Sequence, residues 1–547
     1  MTAVDGDSSD PATESSPLLG HGQDQDHDTR LNGVADADSD LPLADEPSTR
    51  RLLLIMSGVW LGTFLAALDS TIIATLSAPI SASFNSLSLL SWLASAYLIA
   101  NAALQPLSGR LTDILSRRTG LIFSNVFFCA GNLICGLATS EWVMILGRVV
   151  AGMGGGGLTA ISTFIASDLV PLRRRGVWQG FGNISYGVGA GVGGVFGGWI
   201  NDVWGWRNAF LIQVPLTVIS GLLAWFLIDI PIKQTEKSAW RRIDVLGAVT
   251  LITTLILLLL GINSGGNVVP WTHPLVLTSL PLSAVFLGLF IYVESTYAEE
   301  PVIPVRLLLD RTVLSSCLTN WFTTMSTFAL LFYGPIYFQV KGLSTTQAGI
   351  RFIPQSVGTA VGSVTTGLIM RWTGRYYFLT VTVLSIFVAS LSIVSTFNLE
   401  TPAWEPFIVF FFAGIGYSGM LTVTLLALIS AVEHRNQAVI TSASYAFRST
   451  GSAIGITISS AVFQNILKLE LWDRFGDRKG AAEIIGKLRD SLDEIQHLPP
   501  SWKADVMDVY MDALRGVFLT ILGLAVMGLS VSLAMREHKL HSNLARK

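Results

Sequence analysis

The sequence predicts an all-α polytopic membrane protein with about fourteen transmembrane helices. Of its 547 residues 51% are hydrophobic and only 13% are charged, whereas a soluble domain carries about 25% charged residues. Apolar runs long enough to cross about 30 Å of hydrocarbon recur roughly fourteen times along the chain. Lysine and arginine concentrate in every second connection between these runs, which is typical of cytosolic loops. A lipid bilayer is therefore the expected solvent.

The N-terminal segment differs from the rest of the chain. Residues 1–49 are polar and rich in Asp, Ser, Gly and Pro, without the apolar stretch of a cleavable signal peptide. We expect a disordered cytosolic tail. Within it, Glu14 followed by Leu18 and Leu19 fits the acidic dileucine pattern, a candidate sorting signal for an adaptor complex. Six residues carry little specificity by themselves.

The apolar runs divide into six, two and six. Residues 50–230 are expected to form an N-terminal six-helix bundle, 231–311 two additional helices with a linker, and 312–547 a C-terminal six-helix bundle. The last bundle contains a long connection, 468–512, that mixes charges with apolar residues at helical spacing. We expect a surface helix that caps the bundle there, and a gating lid is the alternative.

Basic residues determine the predicted orientation. Because Lys and Arg stay on the cytoplasmic side, both termini are expected in the cytosol, and the connection 468–512 outside the cell or in an organelle lumen. The net charge of −3 offers no basic surface for nucleic acid. The three cysteines and seven histidines form no metal-ligand pattern, so no metal and no cofactor are expected.

The connection after the second apolar run carries a motif. Gly109, Arg110 and Asp113 are followed by Arg117 and Arg118. Glycine permits a tight exit from the span, and the charges can pair across neighbouring helix ends to favour one conformation of the cytosolic face. The motif closely resembles the signature loop of the major facilitator superfamily, with Ser116 where glycine is common. The alternative is that these charges only set orientation.

Two ionisable residues lie inside the first and fourth spans. Asp69, in Leu68-Asp69-Ser70-Thr71, resembles the first-span motif of the fourteen-span drug:proton antiporters, and Arg148 resembles their fourth-span arginine, with Ala151 where glutamine is frequent. A lone charge in hydrocarbon costs several kcal/mol, so each needs water, a partner or a proton. Because both lie at similar depth, they can pair or compete through one cavity. The alternatives are a helix-end role for Asp69 and a purely structural Arg148.

The fifth span is rich in glycine, which lets a neighbouring helix approach closely. It resembles the antiporter motif of the same family, but Gly194 stands where proline is expected. The candidate packing glycines are Gly189, Gly193, Gly197 and Gly198. Generic small-residue packing explains the pattern equally well. In the thirteenth span Arg448 belongs to a further family pattern and is expected near mid-membrane, either as a coupling residue or as a structural anchor.

From the first span to the last, the chain resembles the fungal vacuolar basic amino acid transporters, a branch of this fourteen-span family. The resemblance implies the major facilitator fold, with two six-helix bundles and two extra helices. It also implies proton-driven antiport that moves basic amino acids from the cytosol into the vacuole, with Asp69, Arg148 and Arg448 coupling substrate to protons. The expected partners are substrate, protons, membrane lipid and a sorting adaptor.

Three alternatives to vacuolar amino acid transport follow. The nearest is a plasma-membrane exporter of drugs or toxic metabolites that uses the same residues. A nutrient sensor usually needs a long cytosolic domain, and the sequence offers only a short tail and small loops. A membrane enzyme is disfavoured, because no nucleophile–base pair or phosphate-binding loop emerges from the polar segments.

Overall fold

The computed structural model describes residues 48–84, 89–170, 172–229, 244–265, 269–297, 305–343, 345–433, 436–476, 485, 488 and 500–538. Glu14, Leu18 and Leu19, and the predicted domain boundary near 230, lie outside these residues. The described helices of the first half are α1 (Thr49–Phe84), α2 (Leu89–Leu115), α3 (Arg117–Gly136), α4 (Glu141–Leu169), α5 (Leu172–Trp204), α6 (Trp206–Leu211) and α7 (Gln213–Leu227).

Two helices then pack on each other, α8 (Val245–Ser264) and α9 (Pro274–Thr296). The second half contains α10 (Val305–Leu308), α11 (Arg311–Val340), α12 (Thr345–Ile350), α13 (Ile353–Thr373), α14 (Tyr377–Val394), α15 (Glu405–Ala431), α16 (Gln437–Phe475) and α17 (Pro500–Ser532). With α6 and α7 taken as one broken span and the short α10 and α12 left aside, fourteen long helical segments follow one another. The predicted fold class is confirmed.

Ten of these helices are long and apolar enough to cross a membrane by composition alone. Of the other four, α2 has no uninterrupted stretch of sufficient length whose side chains are described, and α5, α11 and α13 are too polar for that criterion. They pack on other helices: α5 on α1 and α13, and α11 on α16 and α17. Many of their glycines and hydroxyl side chains therefore face protein, where backbone and side-chain partners satisfy polar groups that lipid would leave unsatisfied.

The two halves meet along two helix pairs, α5 with α13 and α2 with α16. At the α5–α13 contact, a Cβ built on Gly176 would lie only 3.3 Å from the Cα of Gly367, so the two backbones are almost in contact. The extra helix α8 packs on both α2 and α16. The additional pair of helices therefore covers one of the two seams between the halves.

The connection predicted at 468–512 is shorter than expected. Helix α16 continues to Phe475 and α17 begins at Pro500, so both ends of the predicted loop are helical. Leu471 and Phe475 are buried, and the Phe475 ring stacks on Trp502 at 4.7 Å between centroids. The helix continues because its apolar residues keep the spacing that buries one face against a neighbour. Most of residues 477–499 lies outside the described part of the chain.

The sequence predicts that the signature motif lies in a loop after the second span, but most of the motif is helical. Gly109 to Leu115 form the last turns of α2, and only Ser116 separates α2 from α3. Ser116 has φ 134 and ψ 156, a conformation that is nearly restricted to glycine. The sharp exit therefore occurs at Ser116 rather than at Gly109. This geometry explains why glycine suits position 116.

Candidate functional site

A fully buried ion pair joins the first and fourth spans. Arg148 Nη1 lies 2.7 Å from Asp69 Oδ2, and both side chains are 0% exposed. The two residues are 79 positions apart in the chain, and the packing of α1 and α4 brings them together. The structure thus realises the pairing that the sequence allowed. Neither residue lies at a helix end.

The surroundings of the arginine complete the site. Arg148 Nε donates to the Leu93 carbonyl oxygen at 3.1 Å, and its guanidinium lies 4.5 Å from the centroid of the Tyr97 ring. Asp69 Oδ1 is buried and makes no hydrogen bond of ordinary geometry with the described residues, although the Gln213 side chain lies beside the carboxyl group. One carboxylate oxygen is therefore held by arginine, and the Gln213 side chain is the other polar neighbour of the carboxyl group.

This geometry defines what the pair can do chemically. A buried carboxylate is tolerable because a guanidinium compensates its charge, and removing either charge leaves the other unpaired at a cost of about 3–5 kcal/mol. Protonation of Asp69 cancels the attraction and frees Arg148. A proton and the arginine therefore compete for one carboxylate.

Beside this pair is a central cavity of about 430 Å³, counting its open mouth. Ser70 and Tyr97, which adjoin the ion pair, line one part of its wall, and Arg448 of α16 lines another. Arg448 is half-buried, and its guanidinium lies 4.6 Å from the Tyr445 ring centroid and 5.5 Å from that of Tyr186. The structure therefore brings Arg448 to the same cavity as the neighbours of Asp69.

A wider cavity of about 1070 Å³, counting its open mouth, meets the first at Tyr186 and Phe328. Its wall is largely apolar, with residues such as Leu331, Phe332 and Phe352. It also includes Gln339 near the end of α11 and Gly349 just before α13. The wide cavity therefore occupies the end of the bundle where α11 ends and α13 begins.

At the opposite end of the bundle, α5 and α16 begin and α13 and α17 end. We call this end the terminal face. Hydrogen bonds join the two halves on this side of the central cavity. Arg175 donates to Gln437, Thr163 and Tyr445 share a hydrogen bond, and Ser449 donates to Gln105. With α5 and α13 also in close contact there, the described residues join the two halves at the terminal face, whereas the wide cavity lies toward the opposite end of the bundle.

The charges of the signature motif contact other helices. Arg117 Nε lies 2.8 Å from Asp168 Oδ2 at the end of α4, and Nη1 donates to Thr112. Arg118 lies 4.6 Å from the Trp225 ring centroid. The side chains of Arg110 and Asp113 lie outside the described residues. The arginine interactions seen here stay within the first half.

The candidate glycines of α5 separate into two groups. A Cβ on Gly193 would lie 2.7 Å from the Leu68 carbonyl oxygen, and one on Gly197 would lie 2.7 Å from Ile72. A Cβ on Gly189 would lie closer still, 2.4 Å from the Phe64 carbonyl oxygen. These three follow at helical spacing and face α1. Gly198 differs, because a Cβ there would meet nothing within 4 Å, so Gly198 does not pack against α1.

Sequence reasoning missed the polar and aromatic residues that surround the charges. Asn183 of α5 donates to Ser363 at 2.7 Å, and thus bridges the two halves. Four tyrosines lie around Arg148 and Arg448, namely Tyr97, Tyr186, Tyr417 and Tyr445. These residues could have been found from the sequence as tyrosines and asparagines inside apolar spans, because such polar groups need partners at membrane depth.

Two helical halves around shared cavities, with a buried ion pair beside them, form the architecture of a membrane transporter. Residues 59–456 match the family model of the Major Facilitator Superfamily. The chain belongs to this superfamily, whose members are transporters rather than enzymes.

Individual members of this superfamily are similar to the chain over most of its length. The chain is 37% identical to the Schizosaccharomyces pombe protein "Multidrug resistance protein fnx1", over 90% of this chain and 94% of that protein. It is 31% identical to the Saccharomyces cerevisiae protein "Vacuolar basic amino acid transporter 1", over 88% and 92%. Among solved structures, the human organic anion transporter MFSD10 shares the fold, with a TM-score of 0.58 and 14% identity over 89% of this chain and 100% of the other.

Proposed function

We propose that the protein is a proton-coupled antiporter that moves basic amino acids from the cytosol into the vacuole. The observation that carries this proposal is the buried Asp69–Arg148 pair, which adjoins the central cavity through Ser70 and Tyr97. A carboxylate in this position binds either a proton or a cationic group, but not both. Mutual exclusion of two ligands at one site is sufficient for coupled exchange.

The proposed cycle uses the two ends of the bundle. Both termini are in the cytosol, so the terminal face is cytosolic and the wide cavity opens toward the vacuolar lumen. A proton from the acidic lumen reaches Asp69, neutralises it and releases the cationic amino acid. Reopening of the terminal face then returns the proton to the cytosol. Relatives named as vacuolar amino acid transporters support the substrate and the compartment.

The proposal is tested with Asp69→Asn in vacuolar vesicles that carry a pH gradient. We expect gradient-driven lysine uptake to fall to the level seen without a gradient, because asparagine takes up no proton. Because the carboxylate is also the proposed site of the substrate cation, folding is checked separately: vacuolar delivery of the tagged variant and its elution as a single species in gel filtration distinguish lost transport from lost folding. Asp512→Asn is the matched control, since Asp512 forms an exposed ion pair with Arg474. Undiminished uptake by the Asp69 variant would remove Asp69 from the mechanism.

A second candidate is a plasma-membrane exporter of drugs or toxic metabolites. The wide cavity favours it, because its largely apolar wall suits bulky apolar cations, and a relative named as a multidrug resistance protein agrees with it. Localisation of the tagged protein separates the two candidates. Vacuolar location that changes when Leu18 and Leu19 are both replaced by Ala supports the first, and plasma-membrane location in both proteins supports the second.

A further inference from the structure

Arg448 is a cation without an anionic partner in the part of the chain that the structure describes. The ion pairs found there join Asp69 with Arg148, Asp168 with Arg117, and Glu470 and Asp512 with Arg474. Arg448 instead contacts the faces of Tyr445 and Tyr186 and lies beside the neutral Tyr445 hydroxyl group, which can accept only one hydrogen bond from it. A guanidinium carries five N–H donors in a fixed fork. Ring faces attract its charge but accept none of these hydrogen bonds well.

Arg448 lies where unsatisfied N–H donors and an uncompensated charge are costly. Three neighbouring cavities are all lined in part by Arg448, so its side chain faces the space between the two halves rather than lipid. A charged group at membrane depth is costly unless something compensates it. An anion that enters the cavity would supply the compensation.

The described walls of these three cavities contain no Asp or Glu. The central cavity is lined by neutral polar groups such as Asn101, Gln105 and Thr159, with Arg448 as the charged side chain. The negative group must therefore come from the ligand. A carboxylate matches the planar fork of arginine with two parallel hydrogen bonds.

We propose that Arg448 binds the α-carboxylate of the transported amino acid, an inference that rests on the proposed function. The same cavity reaches from Arg448 to Ser70 and Tyr97, which adjoin Asp69. A lysine held at its carboxylate by Arg448 directs its ε-ammonium away from the guanidinium and toward the Asp69 end. This pose separates the like charges and brings the substrate cation to the carboxylate that exchanges protons.

The geometry predicts which part of the substrate is essential. Cadaverine is lysine without its carboxylate, and 6-aminohexanoate is lysine without its α-amino group. In proteoliposomes with a pH gradient, we expect 6-aminohexanoate to compete with labelled lysine at least about tenfold better than cadaverine, as expected for one charge-assisted bidentate contact. In Arg448→Gln, that preference should shrink to within about twofold. Arg448→Lys should retain part of it, because the charge remains but the fork is lost.

Arg351→Gln is the matched control. Arg351 also lies over two rings, Phe338 and Phe407, but it lines none of the three cavities, so the preference should be unchanged. Ligand-induced thermal stabilisation of the purified protein repeats the comparison without transport, so a variant that folds but does not cycle still gives a result. Equal competition by cadaverine in the unaltered protein, or an unchanged preference in Arg448→Gln, would overturn the assignment. Absence of any gradient-driven lysine uptake would instead contradict the proposed function.

Discussion

Arg175 Nη1 donates to Gln437 Oε1 over 3.0 Å, and this bond ties the beginning of α5 to the beginning of α16. Arg175 also donates from Nε to the Val170 carbonyl oxygen at 2.8 Å, so its guanidinium is held on both sides. The two residues belong to different halves. Their separation is therefore required whenever the terminal face opens, and their contact contributes free energy to the closed state alone.

Replacing Gln437 by Ala should favour opening of the terminal face. The variant loses one hydrogen bond to a charged donor, worth about 1.5 kcal/mol, which is about a tenfold shift in the equilibrium between closed and open states. Spin labels at the exposed positions Arg174 and Trp372 report the separation of the halves by pulsed electron resonance. Gln339→Ala, in the wide cavity, serves as control. An unchanged distance distribution in the Gln437 variant would show that this bond does not hold the face closed.

Tyr445→Phe should separate closure from substrate recognition. The hydroxyl group shares a hydrogen bond with Thr163 across the two halves, whereas the ring lies 4.6 Å from the Arg448 guanidinium. Phenylalanine keeps the ring and removes the hydroxyl group, which bonds Thr163 and also lies beside the Arg448 guanidinium. With spin labels at Arg174 and Trp372, we expect a larger fraction of molecules with an open terminal face. The preference for 6-aminohexanoate over cadaverine should stay within about twofold of its value in the unaltered protein, because the ring that contacts Arg448 remains. Loss of that preference would indicate that the hydroxyl group takes part in binding.

Ser116→Gly should stabilise the protein. Serine at φ 134 stores backbone strain of about 1–3 kcal/mol, and glycine relieves it. The Ser116 hydroxyl accepts a hydrogen bond from the Thr119 amide at 3.1 Å, but glycine at such a cap costs only a few tenths of a kcal/mol. The net gain is about 1 kcal/mol. Ser116→Ala loses the cap and keeps the strain, so its melting temperature in detergent should fall. A glycine variant that melts below the alanine variant would contradict this account.

Gly193→Ala should destabilise the protein, and Gly198→Ala should not. The added methyl group at 193 would lie 2.7 Å from the Leu68 carbonyl oxygen, so α1 and α5 must move apart, at about 1–3 kcal/mol. At 198 the methyl group meets no atom within 4 Å. The measurement is the melting temperature of each purified variant. Equal melting temperatures would show that α1 adjusts to a larger residue at no cost.

Much of the fold was predictable because a bilayer imposes simple rules. A span must be long and apolar, and basic residues mark alternate connections, so about fourteen helices could be counted from the sequence. Helix ends were less predictable: α16 continues to Phe475, because solvent-exposed turns beyond the membrane have no hydropathy signal and continue only where they find a neighbour.

The sequence by itself identified Asp69, Arg148 and Arg448, since an ionisable residue in an apolar run is costly and therefore conspicuous. Only the tertiary structure decided their partners. Asp69 and Arg148 are 79 residues apart and meet through helix packing, while Arg448 faces tyrosines on two helices. The composition of each helix reflects the solvent around it, and the sequence shows this directly. Which side chains meet depends instead on how the faces of separate helices pack, and residue spacing within one helix does not specify that packing.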